Sequence, residues 1–285
     1  IENPGGETGA PPPQSGGPAL EPGGPGSELS GTPSPGCLGL LSGGSDRFPD
    51  PFPEPPRTPK LLLSPSPCSA PSPFLLLLIP SAAAHLERRS AVRHTWGGAA
   101  PPGGHTWPGA LPGALRTRSV FVLGTGGSPW RQREVLREWR RHGDILQGDF
   151  PDTYANLTWK TLLLLRWARA CCAGAPFLLK ADDDVFVNVA AVATHLAAWP
   201  AAPPPRLYLG RVHRGVAPNR DPRSRHHVAV ATYAAPSFPP YCSGTAYVLS
   251  RQAAAAVLGQ AGRVPLQLPE DVWVGLCAAR AGVVA

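Results

Sequence analysis

The chain has 285 residues, a net charge of +7 from 26 Lys and Arg against 19 Asp and Glu, and only 16% charged residues. The low charged fraction excludes a solvated, highly charged disordered polymer, and the 38 Pro and 32 Gly argue against one compact domain over the full length. A multi-helix membrane protein is also excluded, because no apolar run approaches the roughly 20 residues that span a bilayer. The absence of Met leads us to expect a fragment or a processed chain.

Residues 1–73 are rich in Pro, Gly and Ser, as in GAPPPQSGGPALEPGGPGSE and SPSPCSAPSP. Such a segment cannot bury enough apolar surface to offset its ordering entropy, so we predict a disordered stem. Two interpretations of this stem are open: it is a spacer that holds a domain away from an attachment point, or it is an ordinary disordered tail. The short run LLL at 61–63 does not change this prediction.

From residue 74 to residue 285 strand-like and helix-like patterns alternate. The predicted strands are PFLLLLI (73–79), SVFVLGT (119–125), PFLLKA (176–181), LYLGRV (207–212) and AYVLS (246–250). The predicted helices lie in 81–96, 130–144, 153–172, 185–199 and 270–282. In the second helix Val135, Leu136 and Trp139 share one face, and Gly143 ends it. This alternation predicts the α/β class, with a mostly parallel central sheet, helices on both faces and a ligand site at the carboxyl ends of the strands.

An acidic triplet follows the third predicted strand directly. Asp182, Asp183 and Asp184 repel one another unless a cation neutralises them. On an extended chain Asp182 and Asp184 point to one side and Asp183 to the other. Carboxylate ligands suit Mg²⁺ or Mn²⁺ rather than Zn²⁺, so we predict a divalent cation that bridges the phosphates of a nucleotide. A solvated acidic turn is the alternative.

Five segments occur in an order and spacing that resembles the β-1,3-glycosyltransferases, glycosyltransferase family 31. They are RRSAVRHTWG (88–97), YANLTWKT (154–161), FLLKADDDVFVN (177–188), PPYCSGTAYVLS (239–250) and EDVWVGLC (270–277). The resemblance covers about residues 74–285 and implies a GT-A fold that lacks its C-terminal part. It also implies Mn²⁺ as cofactor, with Mg²⁺ as the alternative. Within the family, residues 207–228 followed by FPPY are most similar to the ganglioside-type β-1,3-galactosyltransferase.

The resemblance implies an inverting enzyme that moves galactose from UDP-galactose to the 3-hydroxyl of an acceptor sugar on a glycolipid or glycoprotein. It makes Asp184 the direct metal ligand, places Asp182 by the metal and the ribose, and lets Asp183 support the donor site. Asp271 matches the catalytic base, with Glu270 beside it, and an acceptor hydroxyl needs such a base because it is a weak nucleophile. From the residues alone, the preferred explanation of Glu270 and Asp271 is that acids are favoured at a helix N-terminus by the macrodipole.

Basic residues are the candidates for the donor phosphates. Arg88, Arg89 and Arg93 follow the first strand, and a guanidinium matches phosphate oxygens. The family motif favours Arg89 and Arg93 for this role. Lys160 and Lys180 also match motif positions and are predicted to bind the donor. A solvated basic face or isolated surface cations are the alternative.

Tyr241 and Gly244 are predicted on the acceptor side. Tyr241 would stack on an acceptor ring, with a buried aromatic as the alternative. Gly244 lets the backbone come close to a sugar. Asn156-Leu157-Thr158 is an N-glycosylation sequon, which suits a secretory-pathway protein, although packing of the helix also explains Asn156.

The six cysteines show no zinc-ligand spacing. The resemblance implies a disulfide between Cys242 and Cys277, which requires an oxidising compartment; two buried thiols are the alternative. Cys37 and Cys68 lie in the predicted stem and are candidates for an intermolecular bond.

The basic balance does not predict a nucleic-acid partner, because the arginines are scattered and no recognisable module is present. The positive net charge would attract a UDP-sugar, an acidic acceptor or an anionic membrane surface. A contribution to solubility explains the charge equally well. The resemblance implies a lumenal domain on the Golgi membrane, with the transmembrane anchor and a later stretch that supplies a His metal ligand both outside this chain. There are three alternative hypotheses for the function. They are a β-1,3-N-acetylglucosaminyltransferase that uses UDP-N-acetylglucosamine, a non-catalytic chaperone-like relative and an inert truncated product.

Overall fold

The computed structural model describes residues 59–98, 105–106, 109–111, 113, 115–199 and 206–285. The strands are β1 (Leu61–Leu63), β2 (Leu75–Pro80), β3 (His105–Thr106), β4 (Gly109–Ala110), β5 (Thr117–Thr125), β6 (Ile145–Pro151), β7 (Phe177–Ala181), β8 (Tyr208–His213) and β9 (Tyr241–Ser250). The helices are α1 (Leu86–His94), α2 (Pro129–His142), α3 (Leu157–Cys171), α4 (Val189–Ala197), α5 (Arg251–Gln260) and α6 (Glu270–Arg280). Short 3-10 turns occupy Tyr154–Asn156 and Ala261–Arg263.

Seven strands form one sheet in the order β1-β6-β5-β2-β7-β9-β8. The four central strands β6, β5, β2 and β7 are parallel, whereas β1, β9 and β8 run antiparallel to their neighbours. The short strands β3 and β4 pair separately. The sheet confirms the predicted α/β class with a mostly parallel centre.

Two cores cover the two faces of the sheet, because successive side chains of a strand point to opposite faces. All six residues of β2 are buried, as expected of a central parallel strand. Leu76 and Leu78 pack with α3, α5 and α6. Leu75, Leu77 and Ile79 pack with α1, α2 and α4. The predicted arrangement of helices on both faces is therefore confirmed.

Helix α2 follows its sequence signals closely. The Ser128 side chain caps its N-terminus by accepting a bond from the Arg131 N–H, and Pro129 takes the first helical position. Gly143 ends the helix with a φ of 66°, a left-handed conformation that glycine adopts without strain. Val135 is buried on the face that points to the sheet, as the helical spacing predicts.

The boundary predicted at residue 73 is wrong. Residues 61–63 pair with β6 as an edge strand, and Cys68 forms a disulfide with Cys172 just past the end of α3. Long-range pairing and a cross-link order this segment, which its Pro-rich composition does not reveal. The intermolecular bond expected of Cys68 is therefore wrong too, whereas Cys37 and residues 1–58 lie outside the described residues.

Strand β6 and helix α5 were not predicted. In β6 the polar Gln147 and the neighbouring Gly148 interrupt the apolar pattern of a strand. Gln147 is nevertheless fully buried, because its amide bonds the Gly124 carbonyl and the Gln132 side chain. Within the described residues, no helix is long and apolar enough to cross a membrane.

Candidate active site

The predicted motifs meet at one edge of the sheet. Parallel strands β2, β6 and β7 end there at Ser81, Asp152 and the acidic triplet, and antiparallel β9 begins there. The Asp182 N–H donates to the Thr245 carbonyl at 3.1 Å, which joins the end of β7 to the start of β9. Helix α6 brings Asp271 to the same place, because the Gly244 N–H donates to its Oδ2 at 3.0 Å. The edge therefore matches the position at which α/β sheets bind ligands.

The three aspartates of the triplet have different surroundings. Asp183 is 6% exposed, and its Oδ2 lies 2.7 Å from Ser81 Oγ and 2.9 Å from His85 Nδ1. The side chains of Asp182 and Asp184 are 40% and 57% exposed. Asp183 thus belongs to the protein framework, whereas Asp182 and Asp184 offer carboxylate oxygens to a ligand.

The chemistry of this donor set suits a hard divalent cation, although it is sparse. Across the part of the chain that the structure describes, no group of three or more His, Cys, Asp and Glu side chains is arranged to hold a metal ion. Mg²⁺ is usually held by one or two carboxylates together with substrate phosphates and water. The open oxygens of Asp182 and Asp184 fit that mode of binding, with the donor supplying the remaining ligands.

The structure does not bring Arg89 and Arg93 to the surface where the donor phosphates were predicted. Arg89 is completely buried, with Nε and NH2 at 2.9 and 2.7 Å from the two carboxylate oxygens of Glu138. Arg93 pairs with Asp144 at 2.7 and 2.8 Å and with Glu138 at 2.7 Å. The prediction of direct phosphate contact is therefore wrong, because protein carboxylates already take both guanidinium groups.

Arg88 is the guanidinium that faces the triplet. Its NH1 lies 3.2 Å from Asp183 Oδ1 and 3.1 Å from Asp184 Oδ2, and its side chain is 46% exposed. The helical period could have separated these arginines, because Arg89 and Arg93 are four residues apart and share a face with the buried Val92. Arg88 lies off that face.

Lys160 is buried and connects the carboxyl ends of β2 and β6 through hydrogen bonds. Its Nζ lies 2.6 Å from Asp152 Oδ1 and donates to the Ser81 carbonyl, and Asp152 Oδ2 accepts from the Gly124 N–H at 3.0 Å. The side chain is 3% exposed, and burial lowers its pKa. The predicted direct contact with the donor is not available to Lys160 in this arrangement. Asp152, which lies outside the predicted motifs, completes this connection.

Lys180 lies deeper, between the triplet and the α6 terminus. Its Nζ is 2.7 Å from Asp182 Oδ1 and 3.4 Å from Glu270 Oε2, and it also donates to the Gly244 carbonyl. Only 6% of the side chain is exposed. Protein acceptors surround this ammonium, so Lys180 does not face a donor phosphate either.

Glu270 and Asp271 differ sharply in accessibility. Glu270 Oε1 accepts from Thr161 at 2.8 Å and from the Tyr247 hydroxyl at 2.7 Å, and burial raises the pKa of this carboxyl group. Asp271 is half-buried, with Oδ1 held by the Val272 N–H at 2.9 Å and Oδ2 by Gly244. Each Asp271 oxygen keeps a lone pair, so Asp271 is the carboxylate that can receive a proton. The oxygens of Glu270 are engaged inside the protein.

Tyr241 and Gly244 serve packing at this edge. Tyr241 is 8% exposed, and its ring lies 5.2 Å from His213 and 6.2 Å from Phe238, which agrees with the buried-aromatic alternative. A Cβ on Gly244 would lie 3.3 Å from both Asp271 Cβ and Glu270 Oε2. Gly244 thus lets β9 approach α6 closely.

The disulfide predicted between Cys242 and Cys277 is wrong: both are free, fully buried thiols. The Cys242 side chain lies against β8, where a Cβ on Gly210 would come within 3.1 Å of its sulfur. Burial raises the pKa to about 11 for Cys242 and to about 12 for Cys277, so both are protonated at neutral pH.

The sequon residues take part in the packing of α3. Asn156 Nδ2 donates to the Pro151 carbonyl at 2.8 Å. Thr158 is buried, and its hydroxyl donates to the Leu268 carbonyl at 3.0 Å. These contacts agree with the packing alternative, and glycosylation of Asn156 stays a prediction.

Residues 87–285 match the family model described as Galactosyltransferase. The chain belongs to the galactosyltransferase family. This match covers α1 from its second residue onward, the triplet and α6, and it confirms the predicted resemblance.

Members of the family from mammals are similar over most of this chain. The β-1,3-galactosyltransferase 4 of Rattus norvegicus is 38% identical over 263 residues, which cover 81% of this chain and 67% of that protein. The acetylgalactosaminyl-O-glycosyl-glycoprotein β-1,3-N-acetylglucosaminyltransferase of Homo sapiens is 40% identical over 216 residues, covering 74% of this chain and 53% of that protein. The chain thus spans between about half and two thirds of the length of these relatives.

Among solved structures, the mannosyltransferase PcManGT from Pyrobaculum calidifontis, in complex with GDP-Man and Mn²⁺, is similar with a TM-score of 0.36. The identity is 14%, and the similarity covers 78% of this chain and 55% of that chain.

Proposed function

We propose that this chain carries the catalytic part of an inverting β-1,3-galactosyltransferase of the GT-A type. The observation that carries the proposal is the placement of Asp271. Its half-buried carboxylate is held by Gly244 at the sheet edge that also presents Asp182 and Asp184. Membership of the family and the name of the rat relative support galactose as the transferred sugar.

Asp271 acts as the general base in this proposal. It takes the proton of the acceptor 3-hydroxyl while that oxygen bonds to the anomeric carbon of galactose. The bond from the anomeric carbon to the UDP oxygen breaks on the opposite side, and its electron pair leaves with UDP. One displacement converts the α-linked donor to a β-linked product and leaves the proton on Asp271.

The donor diphosphate lies over the triplet in this proposal. Asp182 and Asp184 would hold Mn²⁺ or Mg²⁺, and the bound ion supplies positive charge for the departing diphosphate. Arg88 offers its exposed guanidinium beside Asp184 and can pair with a phosphate oxygen when the ligand displaces that contact. Asp183 keeps Ser81 and His85 in place beneath them.

A β-1,3-N-acetylglucosaminyltransferase is the second candidate, because two human relatives with that activity in their names are 39% and 40% identical to this chain. The two donors differ by an acetamide at the sugar 2-position. A direct comparison of UDP-galactose with UDP-N-acetylglucosamine separates these functions.

We also propose that the acceptor is a glycolipid or glycoprotein glycan in the Golgi lumen. The Cys68–Cys172 disulfide supports an oxidising compartment. The open carboxylates of Asp182 and Asp184 argue against a chaperone-like relative, since such a protein has no use for a donor site.

The test is a transfer assay on the protein with Mn²⁺, both UDP-sugars and acceptors that end in different sugars, with the new linkage identified by NMR. We expect a β-1,3-linked galactose, and we expect the Asp182→Ala/Asp184→Ala double variant to lose transfer and Mn²⁺-dependent UDP binding. Asp221→Asn, which changes an acid on an exposed pair with Arg223, is the matched control. A wild-type protein that neither binds UDP with Mn²⁺ in calorimetry nor transfers either sugar would refute the proposal and favour the inert reading.

A further inference from the structure

A single buried ammonium connects the two halves of the proposed site. A lysine has three N–H donors, and Lys180 has three protein acceptors within reach: Asp182, Glu270 and the Gly244 carbonyl. Asp182 belongs to the proposed donor side. Gly244 and Glu270 belong to the side on which Asp271 lies.

Gly244 carries this connection to the base. Its carbonyl accepts from Lys180, and its N–H donates to Asp271 Oδ2 at 3.0 Å. The backbone of Gly244 lies close to α6, because a Cβ at this position would be 3.3 Å from Asp271 Cβ. Gly244 therefore contacts Lys180 through its carbonyl and Asp271 through its N–H.

Glu270 supplies the counter-charge that keeps Lys180 in place. Thr161 and Tyr247 donate to Glu270 Oε1, which leaves Oε2 directed at the ammonium at 3.4 Å. Strand pairing adds to this, because Lys180 lies opposite Tyr247 in the β7–β9 ladder and its Nζ is 5.8 Å from the Tyr247 ring centre. Lys180 thus has a fixed location rather than a mobile surface position.

We propose that Lys180 is a positioning residue that orients the Asp271 carboxylate through Gly244 while it restrains Asp182 on the donor side. Glu270 is the anchor of Lys180 in this arrangement and takes no proton from the substrate. The inference rests on the proposed function for the role of Asp271 as base, but the coupling of Lys180 to Gly244 is measurable without turnover.

The decisive variant is Lys180→Met, which replaces the aliphatic stem of the lysine with a side chain of similar shape and removes the ammonium. We expect kcat to fall about 100-fold, the loss typical of a catalytic group displaced by about 1 Å. We also expect Mn²⁺-dependent UDP binding to weaken about 10-fold, because groups that support metal ligands typically change affinity by about 10- to 100-fold. In the folded variant the Gly244 amide should exchange its hydrogen faster than in the wild type, as read by NMR.

Two lysines give matched controls. Lys60→Met changes an exposed lysine at the start of β1 and should leave kcat, UDP binding and Gly244 exchange as in the wild type. Lys160→Met changes another buried lysine, whose ammonium contacts Asp152 and Ser81 but not Gly244, so Gly244 exchange should stay unchanged. A general effect of losing a buried cation would alter Gly244 exchange in both buried variants.

Gly244→Ala tests the second step of the connection and decides the inference if Lys180→Met does not fold. The added methyl group would lie 3.3 Å from both Asp271 Cβ and Glu270 Oε2, so we expect it to displace Asp271 and kcat to fall at least about 10-fold. UDP affinity should fall less than it does in Lys180→Met, because the ammonium that contacts Asp182 is still present. A folded Lys180→Met with wild-type kcat and Gly244 exchange, or a Gly244→Ala with wild-type kcat, would overturn the inference. If the wild type transfers no sugar, the proposed function fails, and Gly244 exchange in Lys180→Met alone decides the coupling.

Discussion

Two neighbouring arginines on α1 should affect different properties of the protein when their charge is removed: Arg89 its stability and Arg88 its affinity for UDP. Arg89→Met removes a completely buried guanidinium that donates to both Glu138 oxygens, to Ser81 Oγ and to the Ala82 carbonyl. Arg88→Gln removes an exposed guanidinium that contacts Asp183 and Asp184.

The magnitudes follow from these surroundings. Breaking a buried ion pair by removing one partner costs about 3–5 kcal/mol. Arg93 still pairs with Glu138 after Arg89→Met, so we expect the lower end, about 3 kcal/mol of unfolding free energy. The exposed contacts of Arg88 contribute little to stability, because solvent screens them. A charge-assisted bond to a phosphate, in contrast, is worth about 1.5–3 kcal/mol, so Arg88→Gln should weaken UDP binding about 10- to 150-fold.

Urea unfolding and UDP calorimetry with Mn²⁺, at a temperature at which every variant is folded, separate the two effects. Arg251→Gln is the matched control, since Arg251 bonds the Ala173 carbonyl at the far end of β9. The reasoning is refuted if Arg89→Met keeps wild-type stability and loses UDP affinity, or if Arg88→Gln binds UDP like the wild type.

Two further predictions concern the buried groups. Cys242 and Cys277 should resist a thiol reagent at pH 8 in the folded protein and react after unfolding, because burial raises their pKa to about 11 and about 12; fast labelling of the folded chain would contradict this. Burial alone would raise the pKa of Glu138, but its bonds to Arg89 and Arg93 outweigh burial and lower it. Glu138 therefore stabilises the fold above its unfolded pKa and loses this contribution as the pH falls through its folded pKa. In urea titrations, the difference in unfolding free energy between the wild type and Glu138→Gln should become smaller from pH 7 to pH 3. A difference that does not depend on pH would contradict the lowered pKa of Glu138.

Local signals predicted much of the fold. The apolar run of β2, the Gly143 stop of α2 and the position of the triplet after β7 all depend on neighbours in sequence, and each lies where the pattern places it. Strand β1 is different, because its three residues become ordered only by pairing with β6, about 85 positions further along the chain. Short-range composition carries no information on such a partner.

In the candidate site, too, local signals predicted some features, whereas others depend on long-range contacts. Several of the predicted residues meet at the sheet edge, among them the triplet and Asp271, but the motifs did not predict which side chains the protein pairs internally. Arg89, Lys160 and Lys180 are cations that the fold pairs internally with Glu138, Asp152 and Asp182, and those pairings depend on three-dimensional packing. The helical period of α1 could have identified the inward arginines, whereas nothing local distinguishes Lys180 from a donor ligand.

The most direct test of the central claim is Asp271→Asn, which keeps the shape of the side chain and one acceptor oxygen but removes the basic carboxylate. General-base catalysis typically contributes about 10²–10⁴-fold. We predict that transfer falls by about 10³-fold while the affinity for UDP with Mn²⁺ stays within about two-fold of the wild type. Retained turnover in the Asp271→Asn protein would contradict the account.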